Sequence, residues 1–332
     1  MSVRVGIIGV GVMGRDHADL LATQVPGVTL QAIHDADPAR AEAVAEETGA
    51  KAVMADPLML IENPAIDAVL LASPDTTHKE LTLACIAARK PVLCEKPLAP
   101  TSCECLEVVA AETKLGRRLA QIGYMRRFDP SYVEMKSLLT GGSFGRPLLL
   151  HCIHRNVSAP AWFDDRMAIG NSAVHEFDII RWLLDTELLG MHVFRPRAAA
   201  PDSARPLLLI VETRGGQVAT VEVFNNAAYG YDVRGELVCQ KGTVKLRAPV
   251  RTETNLALRQ GIEHPADWRP RFADAYRLQA QAWVRAIGKG AFVGATAWDG
   301  YAAARAAEAG LLSLAVGRYA EIEPGEKPAI YR

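Results

Sequence analysis

Gly9-Val10-Gly11-Val12-Met13-Gly14 constrains this chain more than any other segment, because of what flanks it. Val3–Ile8 before it reads as a buried strand, and a helical pattern follows to about Gln24. Glycines at this spacing also mark plain turns. Between a strand and a helix they take separate jobs. Gly9 permits the tight turn, Gly11 lets a pyrophosphate approach the backbone, and Gly14 lets helix and strand pack closely. The phosphates then rest on the positive helix N-terminus, where Val12 and Met13 lie. The segment is read as one half of a dinucleotide-binding fold.

A second strand, Thr29–His34, ends on Asp35, where an acidic side chain accepts hydrogen bonds from the adenosine ribose hydroxyls. A carboxylate there repels a 2′-phosphate, so NAD is preferred to NADP. Arg40 is the nearest cation able to accept that phosphate and keeps NADP as the lesser alternative. Asp37 suits the cap of a helix opening at Pro38, which leaves Asp35 for the ribose.

Strand and helix patterns go on alternating. A strand at Asp67–Ala72 precedes Ser73-Pro74-Asp75-Thr76-Thr77-His78 and a helix to about Arg89. Pro91–Leu93, a helix at Thr101–Leu115 and a strand at Leu119–Tyr124 follow. This alternation predicts a doubly wound parallel sheet over residues 1–123. Ser73, Pro74 and His78 fall at a carboxyl edge, where they can border the nicotinamide or simply build a turn and a helix cap.

From about Phe128 the pattern changes. After a helix at Pro130–Leu139, strand-like runs follow at Leu148–Arg155, Leu207–Thr213, Gln217–Asn225, Asp232–Cys239 and Gly242–Leu246. Strands without intervening helices predict a second α/β domain, 124–332, with a large, mostly antiparallel open sheet. Such a sheet needs its second face covered, so self-association through it is expected. Helical patterns return at Arg271–Ile287 and Trp298–Val316, and Ala198–Arg205 reads as an exposed loop.

Composition narrows the function classes. A net charge of −1 over 332 residues gives no electrostatic footprint for nucleic acid or an anionic membrane. No apolar stretch approaches the roughly 20 residues that span a bilayer, and the opening residues lack a signal-peptide pattern. A cytoplasmic protein with reduced cysteines is the expectation. Cys103-Glu104-Cys105 is not a zinc spacing, and alternation in His151-Cys152-Ile153-His154 puts the two histidines on opposite faces, so no metal site is expected.

Two segments carry chemistry. Cys94-Glu95-Lys96-Pro97-Leu98 follows a buried strand, and a lysine at the carboxyl end of such a strand projects into the ligand crevice. There the Lys96 amine can hydrogen-bond a substrate hydroxyl and stabilise the alkoxide that hydride loss demands; a lone Lys-Pro otherwise marks a solvated surface residue. In Asn171-Ser172-Ala173-Val174-His175-Glu176-Phe177-Asp178, Ser172 or Asn171 is expected to cap a helix with His175 in its first turn. The helix dipole favours the neutral imidazole and Asp178 the cation, opposed influences that suit a proton carrier near neutral pH. A lone helical histidine is otherwise a structural residue.

Taken together, the fingerprint, Glu95-Lys96-Pro97 and His175-Glu176-x-Asp178 resemble the Gfo/Idh/MocA oxidoreductase family over nearly the whole chain. Gly123–Pro130, His151–Asn156, Tyr229–Arg234 and Trp298-Asp299-Gly300-Tyr301 are similar, more narrowly, to its bacterial inositol 2-dehydrogenases. The resemblance implies a Rossmann domain, then an α/β domain whose sheet builds homodimers or homotetramers. It implies that Glu95 and Lys96 border the cofactor, that Lys96 binds the reacting hydroxyl and that His175 removes its proton. Arg126, His154, Asn156, Asn171 and Tyr231 would line a polyol pocket, each offering a hydrogen-bond partner to a ring crowded with hydroxyls.

The chain departs from that pattern in two places. The inositol enzymes usually carry aspartate where this chain has Asn171, and a proline where it has Val157. An amide lends no charge to an imidazolium, so His175 is expected to be less basic than the pattern implies. The implied activity is NAD-dependent oxidation of a secondary hydroxyl of myo- or scyllo-inositol, or of a related cyclitol or sugar. A pyranose or inosose oxidoreductase with tightly held cofactor is the alternative within the family, and a non-catalytic NAD-binding sensor the alternative outside it.

Overall fold

The strand expected at the N-terminus forms as β1 (Val3–Ile8) and carries the chain directly into α1 (Val12–Thr23). The computed structural model describes residues 2–197, 205–247, 253–323 and 325–332. These fall into two compact units, one made of 1–125, 276–304 and 325–332, the other of 126–275 and 305–324. Neither unit is continuous in sequence. The loop expected at Ala198–Arg205 lies, apart from Arg205, outside the described residues.

In the first unit β1 is followed by β2 (Val28–His34), α2 (Pro38–Thr48), α3 (Pro57–Glu62), β3 (Ala68–Leu71), α4 (His78–Ala87), β4 (Val92–Cys94), α5 (Ser102–Leu115) and β5 (Ala120–Ile122). The sheet order is β2-β1-β3-β4-β5, every pair parallel. With β2 on one side of β1 and β3 to β5 on the other, the chain reverses direction between β1 and β3, the place where such sheets bind ligands. Apolar runs on β1, β3 and β4 are buried, as strands covered on both faces must be. Each helix start uses the chemistry its sequence offers. Asp37 caps α2 ahead of Pro38, Asp56 caps α3 ahead of Pro57, and Thr101 with Glu104 closes a capping box on α5.

The second unit holds α6 (Pro130–Thr140), β6 (Pro147–Arg155), a short α7 (Asp165–Met167), a π-helical turn Ala168–Ser172, α8 (Val174–Leu184) and β7 (Leu188–Phe194). After these come β8 (Leu207–Thr213), β9 (Val218–Phe224), β10 (Asp232–Cys239), β11 (Gly242–Lys245), β12 (Glu253–Leu256) and β13 (Arg259–Ile262). Two long helices, α9 (Arg269–Gly288) and α10 (Ala297–Val316), each run through residues of both units, and β14 (Ala320–Glu321) closes the sheet. The order is β11-β10-β6-β9-β8-β7-β14. All pairs are antiparallel except β6 with β9, so the sheet is mostly, not wholly, antiparallel. Alternation on β6 buries Cys152 and His154 and turns His151 outward, the two-faced arrangement expected of the four-residue run.

Candidate active site

In the first unit the three fingerprint glycines meet three different surroundings. Gly9 has φ +85°, and a Cβ there would lie 2.4 Å from the Ser73 amide nitrogen. A Cβ on Gly14 would lie 1.9 Å from Gly9 O, so only hydrogen lets α1 pack this close to the turn. At Gly11 a Cβ would meet nothing within 4 Å. The turn is therefore tight at Gly9 and Gly14 and open at Gly11, the N-cap of α1, as a backbone that receives a pyrophosphate must be. Val12 is exposed and Met13 partly so on that first turn.

Asp35 stands at the end of β2 with its side chain only 7% exposed. Its Oδ2 accepts from Val10 N at 2.7 Å and its Oδ1 from Asp37 N at 2.9 Å, which ties the end of β2 to the fingerprint. Arg40 reaches the same carboxylate at 3.3 Å, and Asp37 takes the cap of α2. Across the reversal point, Ser73 and Thr77 share a hydroxyl–hydroxyl bond of 2.7 Å in the turn before α4, while Pro74 is exposed. His78 is buried at the start of α4.

Glu95 and Lys96 follow β4. The Glu95 carboxylate is buried against His17 of α1 at 2.8 Å, and its other oxygen accepts from the Lys96 amide at 3.1 Å. Burial alone would raise the Glu95 pKa; the His17 hydrogen bond and the Lys96 charge outweigh it and keep the carboxyl ionised below its usual range. A Cβ on Gly123 would come within 2.9 Å of that carboxylate, so Gly123 clears the space it occupies. Lys96 itself is partly exposed, at the carboxyl edge where the reading of β4 places it.

The second unit concentrates the expected polyol residues around one buried ion pair. Arg126 Nη1 donates to Glu176 Oε1, and both side chains are 1% exposed. Nδ1 of His154 lies 3.2 Å from Arg126 Nη2 and 3.1 Å from Glu176 Oε2. A neutral ring takes one of two arrangements there. It accepts from the guanidinium and presents Nε2–H, or it donates to the carboxylate and presents an Nε2 lone pair. The His154 ring sits 6.2 Å, centroid to centroid, from Tyr231 and 6.4 Å from His175. Burial would raise the Glu176 pKa, but Arg126 and His154 pull it down to about 2. Burial pushes Tyr231 up to about 12, so its phenol keeps its proton throughout the neutral range.

Arg126, His154, Tyr231 and His175 are thus brought together, with Glu176 as the anion that makes a buried arginine tolerable. Glu176 was legible in the motif but not as a partner of Arg126, since nothing in the sequence pairs positions that far apart. Asn156 is held differently: its Nδ2 donates to Asn225 Oδ1, which also accepts from Ser172 Oγ at 3.1 Å. Asn171 lies in the π-helical turn just before α8.

One expectation about α8 needs correction. Neither Asn171 nor Ser172 caps it, because the preceding π-helical turn carries the chain straight into α8 with Ala173 at the cap position. Ser172 spends its hydroxyl on Asn225 instead. His175 remains in the first turn and is buried. Asp178 is held by Arg127 through two hydrogen bonds of 2.9 and 2.6 Å.

Comparison with known proteins agrees along the chain. Residues 3–124 match a profile described as an oxidoreductase family with an NAD-binding Rossmann fold, and residues 132–245 match the GFO/IDH/MocA C-terminal domain. Inositol 2-dehydrogenase 1 of Saccharopolyspora erythraea is 51% identical, with 100% of this chain and 99% of that protein aligned. An inositol 2-dehydrogenase of Mycolicibacterium smegmatis is 42% identical over 99% and 98% of the two chains. Among solved structures, myo-inositol dehydrogenase from Lactobacillus casei, in complex with NAD(H) and myo-inositol, superposes with a TM-score of 0.96 at 32% identity, covering 100% of both chains.

Proposed function

Because the chain belongs to the Gfo/Idh/MocA oxidoreductase family, we propose that it is an NAD-dependent dehydrogenase that oxidises a secondary ring hydroxyl of an inositol, myo- or scyllo-, to the ketone. The observation that carries this reading is full-length similarity to inositol dehydrogenases, joined to retention of both Lys96 and His175. NAD, when bound, supplies the acceptor carbon, nicotinamide C4, for the hydride. The fit of this chain to that cofactor rests on the open backbone at Gly11, the close packing at Gly9 and Gly14, and the buried carboxylate of Asp35. In this reading Val12 and Met13 face the phosphates, and Ser73 and Pro74 border the nicotinamide end.

Lys96 binds the reacting hydroxyl and stabilises the alkoxide that forms as its proton leaves. His175 accepts that proton. Arg126, His154, Asn156, Asn171 and Tyr231 bind the remaining ring hydroxyls. Tyr231 does so as a donor, since its phenol stays protonated, while His154 donates or accepts according to which side of the Arg126–Glu176 pair its Nδ1 serves. Asn171, standing where the family carries a carboxylate, is the feature that favours a different cyclitol or a pyranose as the alternative substrate.

Assembly belongs to the same proposal. On the outward face of the seven-stranded sheet, pairing aligns Leu149 with Val218, Ile210 with Thr220 and Leu208 with Phe194. Leu149, Phe194 and Leu208 are exposed there, and His192 stacks on Phe194 at 4.1 Å. A second copy of the chain covering this face gives a homodimer or homotetramer. Light scattering on the purified protein tests it; a monomer at micromolar concentration speaks against it.

The function is tested with a panel of inositol isomers and aldopyranoses supplied with NAD or NADP, following the absorbance of the reduced nicotinamide. Turnover of an inositol with NAD supports the reading. Lys96→Ala lowers kcat by orders of magnitude and leaves NAD affinity nearly unchanged. Loss of NAD binding in step with turnover removes Lys96 from its assigned role.

A further inference from the structure

His78 sits 2% exposed at the start of α4, and both of its ring nitrogens face carbonyl oxygens. Nδ1 lies 2.7 Å from Pro97 O and Nε2 lies 2.9 Å from Ser73 O. A neutral imidazole has one N–H donor and one lone-pair nitrogen, whereas a carbonyl oxygen only accepts. One of these two short contacts would therefore set lone pair against lone pair in a buried site, at the cost of an unsatisfied polar group. With a proton on each nitrogen, both contacts become charge-assisted hydrogen bonds. The oxygens belong to two different carboxyl-edge segments, the turn after β3 and the Lys96-Pro97 turn after β4.

We infer that His78 is a buried imidazolium whose two N–H groups clamp the Ser73 turn to the Lys96-Pro97 turn, which makes it a positioning residue for Lys96. The inference rests on the proposed role of Lys96 in hydride transfer, and it adds a fixed cation beneath the carboxyl edge of the sheet. The other group against the ring is the Cys94 side chain at the end of β4. Burial by itself lowers the His78 pKa; Cys94 and the hydrogen bonds to the two carbonyls overcome it and raise it to about 9. Cys94 Sγ also lies 3.3 Å from Glu95 O, and it is the two carbonyl contacts that carry the inference by geometry.

The clamp matters because alignment of a reacting group is worth a great deal. A displacement of about 1 Å in a catalytic side chain can cost on the order of 100-fold in rate. Lys96 is adjacent to the clamped carbonyl of Pro97, and its own amide is fixed on the other side by the Glu95 carboxylate. The ammonium therefore extends from a turn held at both ends.

Nitrogen NMR of the full-length protein, labelled at histidine and loaded with NAD, reads the proton state without any turnover. The expected spectrum shows one buried histidine with both ring nitrogens protonated well above the ordinary histidine pKa of about 6.5. The assignment comes from the signal lost in His78→Gln. A lone-pair nitrogen on that ring at mildly alkaline pH overturns the inference. In the same variant kcat should fall roughly 10- to 100-fold while NAD affinity is retained, and the wild-type kcat should decline at the pH where the ring titrates. Unchanged kcat in a folded His78→Gln also overturns the positioning role. If His78→Gln does not fold, the wild-type spectrum and its titration still decide. If Lys96→Ala stays active, Lys96 loses its assigned role while the spectrum still reports on the ring.

Discussion

Arg126 and Glu176 form an ion pair sealed from water, with each side chain 1% exposed. Taking two charges out of water costs several kcal/mol per ion, repaid only by close geometry and further hydrogen bonds. His154 supplies one of those bonds, and Arg126 also lies over the Phe272 ring, its guanidinium carbon 5.4 Å from the centroid. Removing the carboxylate charge leaves the guanidinium buried and unmatched. Glu176→Gln should therefore lose about 3–5 kcal/mol of stability, measured by urea unfolding at neutral pH. A loss below about 1 kcal/mol would show that water already reaches Arg126.

The same pair fixes the acid behaviour. A carboxyl held down to about 2 in the folded protein, against an ordinary value of 4.5, contributes stability that is fully present above 4.5. That contribution drains away as pH falls from 4.5 towards 2. Glu176→Gln should lack this portion of the acid-induced loss. Urea midpoints at a series of acidic pH values check it; parallel wild-type and variant curves would contradict it.

Position 171 tests the departure from the family pattern. The amide of Asn171 sits in the π-helical turn that leads into α8, four residues before His175. Asn171→Asp adds a negative charge near the proposed base and favours its protonated form. The acidic limb of the pH–rate profile should move to higher pH. An unmoved limb means that residue 171 has no electrostatic contact with His175.

How far the sequence revealed this molecule depended on whether the signal was local. The strand–glycine–helix unit, the Asp37 cap and the end of β4 were legible because neighbouring residues dictate them. β7 was not, since a register shift beside Gly190 breaks its alternation. Gly190 is required there: a Cβ would sit 2.3 Å from the Tyr319 hydroxyl, brought in by the distant strand β14. The π-helical turn before α8 left no signal that distinguishes it from a capped start. In the site, residue types were readable but partners were not. Glu176 meets Arg126 and Asp178 meets Arg127 only because the fold brings the short turn carrying the two arginines, ahead of α6, against α8.

The fingerprint glycines should separate by mechanism. Gly14→Ala drives a methyl to 1.9 Å from Gly9 O, which forces the backbone apart, so the variant should be destabilised by several kcal/mol and lose NAD binding with its fold. Gly11→Ala points its methyl into open space and should keep the wild-type Tm. It should nevertheless weaken NAD, because that space is where the pyrophosphate approaches. Thermal unfolding beside NAD titration distinguishes them; Gly11→Ala with unchanged NAD affinity would move the phosphates elsewhere.

Cofactor choice turns on Asp35 and Arg40. The carboxylate accepts two backbone amides and holds Arg40 at 3.3 Å, so this guanidinium, suited to a phosphate, is occupied by an anion. Asp35→Ser removes the repulsion of a 2′-phosphate and frees Nη1 of Arg40 to pair with it, while Asp37 still holds Nη2 at 3.2 Å. The hydroxyl still accepts one of the two amides, so the end of β2 should stay folded. The ratio of kcat/KM for NADP over NAD should rise at least about tenfold, the change that 1.4 kcal/mol produces. Asp35→Ser with Arg40→Ala should give back much of that rise, because the released cation is then missing. A ratio that stays at the wild-type value in Asp35→Ser would mean that this carboxylate does not face the ribose, and that NAD preference is set elsewhere on the turn.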